Sequence, residues 1–154
     1  MACEFLYNEV QDVSLYSPVI FRSSIPCRRG YVFHENETGN FILKGPSTEN
    51  CCNQYAQYQV TFNGNIALPD GAEVTPIAVA LAIQGEPRLT SRAIFTPTAA
   101  GEYGSVTSTA IVKIPRCCCY YLGVEAVPAT TDPTVTPAPV IEVQNANLVI
   151  SRIA

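Results

Sequence analysis

The sequence predicts an all-β protein, an antiparallel β-sandwich or jelly roll of about eight to ten strands. Three observations carry this. Apolar residues alternate with polar ones at a period of two, as they do on an extended chain, and a helical period is nearly absent. Short runs of this kind are separated at close spacing by turn-forming residues. The chain also holds 12 prolines, mostly between the runs, which leaves little room for a helix.

In chain order the first run is "DVSLYSPVIFR" (12–22), and the turn "ENETGN" leads into the second, "NFILKG" (40–45). The clearest run is "YQVTFNGNIAL" (58–68). Tyr58, Val60, Phe62, Ile66 and Leu68 fall on one side, and Gln57, Gln59, Thr61, Asn63 and Asn65 fall on the other. Gly64 permits a bulge or a close approach there. "LPDGAE" then turns into "EVTPIAVALAI" (73–83), and "QGEPR" and "TPTAAGEYG" lead to "GSVTSTAIVKI" (104–114). "IPR" turns into "CYYLGVEAV" (119–127), and "NANLVISRIA" (145–154) closes the chain. The stretch "VPATTDPTVTPAP", with its recurrent Pro and Thr, reads as an extended surface loop, because only about one strand follows it.

A chain of 154 residues is expected to form one domain. Residues 14–154 are assigned to it, and residues 1–13 to an N-terminal arm or a first edge strand. Charged residues are only 14% of the chain, about half the usual share, so the surface must be uncharged and polar or covered by other subunits. The net charge of −4 and scattered Lys and Arg argue against a nucleic-acid partner. The one basic doublet, Arg28 and Arg29, reads as a solvated turn. The N-terminus carries Glu4 and Glu9 and no apolar run of the signal-peptide kind, and no stretch approaches the roughly 18 apolar residues of a membrane span. Assembly in a host cytoplasm, without membrane insertion, is the expectation.

The order of these pieces resembles the trimeric jelly roll of the tumour necrosis factor and complement globular-head superfamily. The residues that carry the resemblance are "VSLYSPVIF", then "ETGNFIL" with Thr38, Gly39 and Phe41, then "YQVTFNGNIAL". They continue with "VALAIQGEP" with Gly85, the pair "YGSVTSTAIVKIP" and "CCCYYLGVEA", and the terminal "NANLVISRIA". "QYQVTFNGNIA", "VQNANLVISRIA" and "PRCCC" are similar to stretches of jelly-roll proteins encoded by clostridial gut bacteria and their phages. The resemblance implies a homotrimer in which one sheet turns its outer face to the three-fold axis. Gln57, Gln59 and Thr61 are then candidates for the trimer interface, and Tyr58, Val60 and Phe62 for the core. A slip of one residue would exchange the two sets.

The seven cysteines invite chemistry. A structural zinc site needs four convergent ligands, whereas neighbours on a strand point to opposite faces and the chain has only His34 as an imidazole. No metal is expected. A cysteine nucleophile needs a base, and His34 lies in a polar turn with Glu35 and Glu37, far along the chain from both clusters. Cys51, Cys52, Cys117, Cys118 and Cys119 are therefore read as buried thiols acting as small apolar residues, or as partners in a disulfide between the two clusters.

No catalytic or cofactor-binding residue is expected. Phe5, Leu6 and Tyr7 form an apolar patch ahead of the first convincing strand and are read as anchoring the chain to a particle. The expected function is a non-enzymatic homotrimeric module on a phage virion surface, as capsid decoration or head fibre. The alternative is a carbohydrate-binding or adhesive module on a spore, cell or fibre surface, with surface glycans as partners.

Overall fold

The computed structural model describes residues 2–25, 30–47 and 54–154. Nearly all regular structure is β. Strand β1 spans Ala2–Tyr7, β2 Gln11–Ser14, β3 Ser23–Ile25, β4 Val32–His34, β5 Phe41–Lys44 and β6 Tyr55–Ala67. Then follow β7 (Ile77–Ile83), β8 (Glu86–Pro87), a 3-10 turn (Leu89–Ser91) and β9 (Ala93–Phe95). The last three are long: β10 (Gly104–Pro115), β11 (Cys119–Pro128) and β12 (Val140–Arg152). Several edge strands are only two or three residues long, so the described residues contain more strand segments than the sequence leads one to expect.

The strands form two antiparallel sheets. One has the order β10-β6-β12-β1-β3 with β2 also on β12; the other has β4-β5-β11-β7-β8 with β9 also on β7. Hydrogen-bonded neighbours such as β12 and β1 lie far apart in sequence, as a jelly roll requires. Segment 15–21 completes the second sheet, where Val19 N donates to Val124 O (2.7 Å) and Phe21 N to Thr38 O (3.1 Å).

Period-two alternation accounts for the sandwich. Tyr58, Val60, Phe62 and Ile66 of β6 are buried, as are Val106, Val112 and Ile114 of β10 and Val143, Leu148 and Ile150 of β12. They face Phe41, Leu43, Leu81, Leu122 and Val124 of the opposite sheet. β7 differs, being buried from Ile77 to Ala82. Ala78 and Ala80 form a small apolar cluster with Val127, separate from the main core.

The aromatic centre joins distant parts of the chain. Phe5 packs edge-on against Phe41 with ring centroids 4.7 Å apart, Phe21 does the same at 5.5 Å, and Phe21 meets Phe62 at 6.5 Å. The Thr38-Gly39-x-Phe41 motif owes its form to this packing. Phe41 fills the core, and a Cβ on Gly39 would stand 2.5 Å from both Pro18 Cβ and Val19 O. Only glycine admits that approach.

Of the two readings of residues 1–13, arm or edge strand, the structure shows a strand, and not an edge one: β1 pairs along its whole length with β12 and also with β3. The anchoring patch needs correction. Phe5 is buried in the core at 4% exposure, and Leu6 and Tyr7 are half-buried, so they do not form a free apolar patch. Alternation along β1 sends Cys3 and Phe5 inward. His34 ends β4 at the edge of the polar turn: its ring stacks on Phe41 at 4.3 Å, and its Nε2 lies 2.9 Å from Thr38 O, while Glu35 and Glu37 are exposed.

Candidate functional site

The outward side of the first sheet is a broad polar face built by β10, β6, β12 and β1. Pairing register sets its rows: Ser105, Asn65 and Gln144; Thr107, Asn63 and Asn147; Thr109, Thr61 and Val149; Ile111, Gln59 and Ser151. None of these side chains is charged. Charges near them include Lys113, Glu142 with Asp12 opposite it, and Glu4, which extends the Val149 row onto β1. The polar groups bond in pairs across β6 and β10. Thr107 Oγ1 donates to Asn63 Oδ1 (2.7 Å), Ser105 Oγ donates to Asn65 Oδ1 (2.9 Å), and Thr61 and Thr109 hydroxyls lie 3.2 Å apart. Asn147 Nδ2 donates to Glu4 Oε1. Ile111 is 54% exposed on β10, at the edge of this face.

Of the residues singled out from the sequence, Gln57, Gln59 and Thr61 lie on this face, and Tyr58, Val60 and Phe62 point into the sandwich. Asn63, Asn65, Thr107, Asn147 and Ile111 belong to the face as well. They follow from the same alternation once β6 is known to lie between β10 and β12. Below the face, Tyr58 reaches across the core to the opposite sheet and donates from its hydroxyl to Lys44 O (2.6 Å). Burial raises its pKa. At the far end, Tyr103 donates to Glu142 Oε2 (2.7 Å), and its pKa is pushed up to about 12 by desolvation, then by Glu142.

The cysteines depart from expectation. Cys117, Cys118 and Cys119 are exposed free thiols, neither buried in a core nor joined in a disulfide. The physical reason is placement: Cys117 and Cys118 lie in the tight β10–β11 turn, and the strand begins at Cys119. Among the described residues Cys3 is the buried cysteine, and it is disulfide-bonded. Cys51, Cys52, Arg28 and Arg29 lie outside the described residues. Among the described residues no group of three or more His, Cys, Asp or Glu could hold a metal ion, and no helix is long and apolar enough to cross a membrane. Arg22 bridges the turns through Glu37 (3.2 Å) and, at 3.9 Å, Glu9.

Two sheets in this order define a jelly-roll sandwich. Solved structures of tumour necrosis factor and complement 1q domains have a similar fold. The globular domain of zebrafish complement 1qA is similar with a TM-score of 0.62 at 14% identity, covering 99% of this chain and 97% of that one. The Eiger tumour necrosis factor of S. frugiperda is similar at 0.63 and 11%, covering 100% and 92%. Murine APRIL follows at 0.55 and 10%, covering 96% of each. At such identities the likeness establishes the fold. No family model matches the sequence, and no curated protein does.

Proposed function

We propose that the protein is a non-enzymatic structural module that works as a homotrimer, packed through the outward face of the β10-β6-β12-β1 sheet. The observation that carries this reading is the absence of charge from the β10, β6 and β12 positions of the rows between Ser105 and Ile111; Glu4, which extends the Val149 row onto β1, accepts from Asn147. A sheet face left to water usually carries charged side chains. Here three pairs, Asn63–Thr107, Asn65–Ser105 and Thr61–Thr109, are partly satisfied within the face, which lowers the cost of covering them, while Ile111, Val149 and Leu6 supply apolar area. Light scattering under reducing conditions tests it. A mass of three chains is expected, and a stable monomer at micromolar concentration overturns the reading.

The particle we assign is a phage virion, on whose surface the trimer would sit as capsid decoration or head fibre. Support comes from "QYQVTFNGNIA" and "VQNANLVISRIA", the stretches similar to phage-encoded jelly-roll proteins. They are β6 and β12, the neighbouring strands of the assembly face. Antibody labelling of intact particles tests the assignment, and chain found only free or on cell surfaces defeats it.

A second reading, an adhesive module that binds glycans, is favoured by one observation on the opposite sheet. Phe33, Ile42 and Tyr121 stand in register across β4, β5 and β11, with both aromatic side chains more than half exposed. Aromatic faces of this kind suit sugar rings. Binding to a glycan array that is lost in Tyr121→Ala would select this reading.

A further inference from the structure

We propose that the Cys117–Cys118–Cys119 turn is a covalent crosslinking site that joins neighbouring copies of this chain into a closed ring of three through intermolecular disulfides. This rests on the trimer reading.

Cysteine is among the residues most often buried, yet here three thiols are presented to solvent in one turn. The turn is pinned rather than loose. Cys117 N donates to Pro46 O (2.9 Å), Cys118 N to Pro115 O (3.2 Å), and Gly45 N to Cys118 O (2.8 Å). Gly45 is needed for that contact, because a Cβ there would lie 2.1 Å from Pro115 O. Cys117 itself holds a left-handed backbone (φ 63°), where Gly or Asn would be ordinary.

Among the described residues these thiols have poor outlets within one chain. Adjacent Cα atoms are about 3.8 Å apart, below the roughly 4.4 Å lower limit of ordinary disulfides, so Cys118 cannot readily pair with either neighbour. Among the described residues the three do not converge with other ligands on a metal site. The chain does carry an oxidised cysteine, since Cys3 is disulfide-bonded. The turn also stands where a second copy would arrive. It ends β10, whose Thr109, Ile111 and Lys113 belong to the assembly face and its rim.

Arithmetic favours a cluster over a single cysteine. One thiol per chain can link two chains and no more, whereas two different thiols per chain can link three head to tail. Each bond forms between one thiol of each copy. A small disulfide oxidant such as oxidised glutathione first makes a mixed disulfide and releases one glutathione. The second copy's thiolate then displaces the other glutathione, leaving the protein disulfide and two reduced glutathione molecules.

The test incubates the full chain with oxidised glutathione, quenches it with a maleimide, and runs a denaturing gel without reductant. A covalent trimer that reverts to monomer with dithiothreitol is expected, with turn peptides from two chains linked in the mass spectrum. Replacing all three cysteines by Ser should abolish the band and leave the light-scattering mass in reductant unchanged. Variants that keep a single turn cysteine should stop at covalent dimer. The proposal fails if the wild type stays monomeric on the gel or stops at dimer. It also fails if the triple variant still crosslinks, or if the only new disulfide joins turn cysteines of one chain. Three-chain mass in reductant without covalent bands defeats the crosslink alone, whereas a monomer in reductant defeats the assembly reading.

Discussion

Thr107 donates a 2.7 Å hydrogen bond from its hydroxyl to the side-chain oxygen of Asn63, across the β6–β10 pair. Both groups are thereby partly satisfied before any partner arrives. A charge placed in the next row has no such partner. Thr61→Glu should set three like charges into the covered face and return the protein to monomer, because such juxtapositions cost several kcal/mol. Light scattering is expected to show a threefold drop in mass, with the β circular-dichroism signal kept.

Tyr58 ties one sheet to the other through Lys44 O at 2.6 Å. Tyr58→Phe should keep the packing and lose the bond, costing about 1 kcal/mol. Tyr58→Ala should also leave a cavity and cost roughly 3–5 kcal/mol, as large aromatic truncations do. Denaturant unfolding measures both, and equal losses would show that the bond, not the ring, dominates.

Phe5 separates an arm from a strand. Because its ring packs on Phe41 and β1 pairs with β12, Phe5→Ala should cost roughly 3–5 kcal/mol. Deleting residues 2–7 should prevent folding. A truncated chain that folds with unchanged stability would return this segment to the role of a detachable arm.

Burial and the Glu142 carboxylate hold the Tyr103 phenol neutral up to about pH 12. A phenol whose folded pKa exceeds its unfolded value near 10 stabilises the fold fully below pH 10. That contribution is lost as pH rises from 10 towards 12. Ultraviolet titration should find late-ionising tyrosines, Tyr103 among them with the buried Tyr58, and one fewer in Tyr103→Phe. The variant should also lose less stability than wild type over that interval.

Gly39→Ala should destabilise by roughly 1–3 kcal/mol, since the added methyl meets Pro18 and backbone oxygen at 2.5 Å. Thermal unfolding reads the loss, and an unchanged midpoint would show that segment 15–21 yields without penalty.

The long strands were legible in the sequence because each alternates over enough residues to settle its own inward side. Tyr58, Val60 and Phe62 against Gln57, Gln59 and Thr61 is the clearest case. The polar face was legible only in part. Asn63 and Asn65 sit on it by the same alternation, but Thr107 and Asn147 join them through pairings between strands far apart in sequence. β1 leaves arm and edge strand both open in the sequence because its inward set is short, and the adjacency of Phe5, Leu6 and Tyr7 looks like a patch until β12 is placed beside it. The thiols were misread because cysteine's general tendency to be buried gave way to a local fact. The β10–β11 turn is tight enough to hold Cys117 and Cys118 outside both strands.

Ala2 lies opposite Ser151, and the same end of the sandwich holds the Pro115–Tyr55 pair and the thiol turn. β12 then runs 13 residues, about 40 Å, to the proline-rich loop 129–139 at the other pole. The fold is therefore a natural candidate for circular permutation. A short linker could join Arg152 to Ala2, and new ends cut into that loop would emerge at the opposite pole. A fused fluorophore or epitope could be displayed from either tip of the same scaffold simply by choosing where the chain is opened.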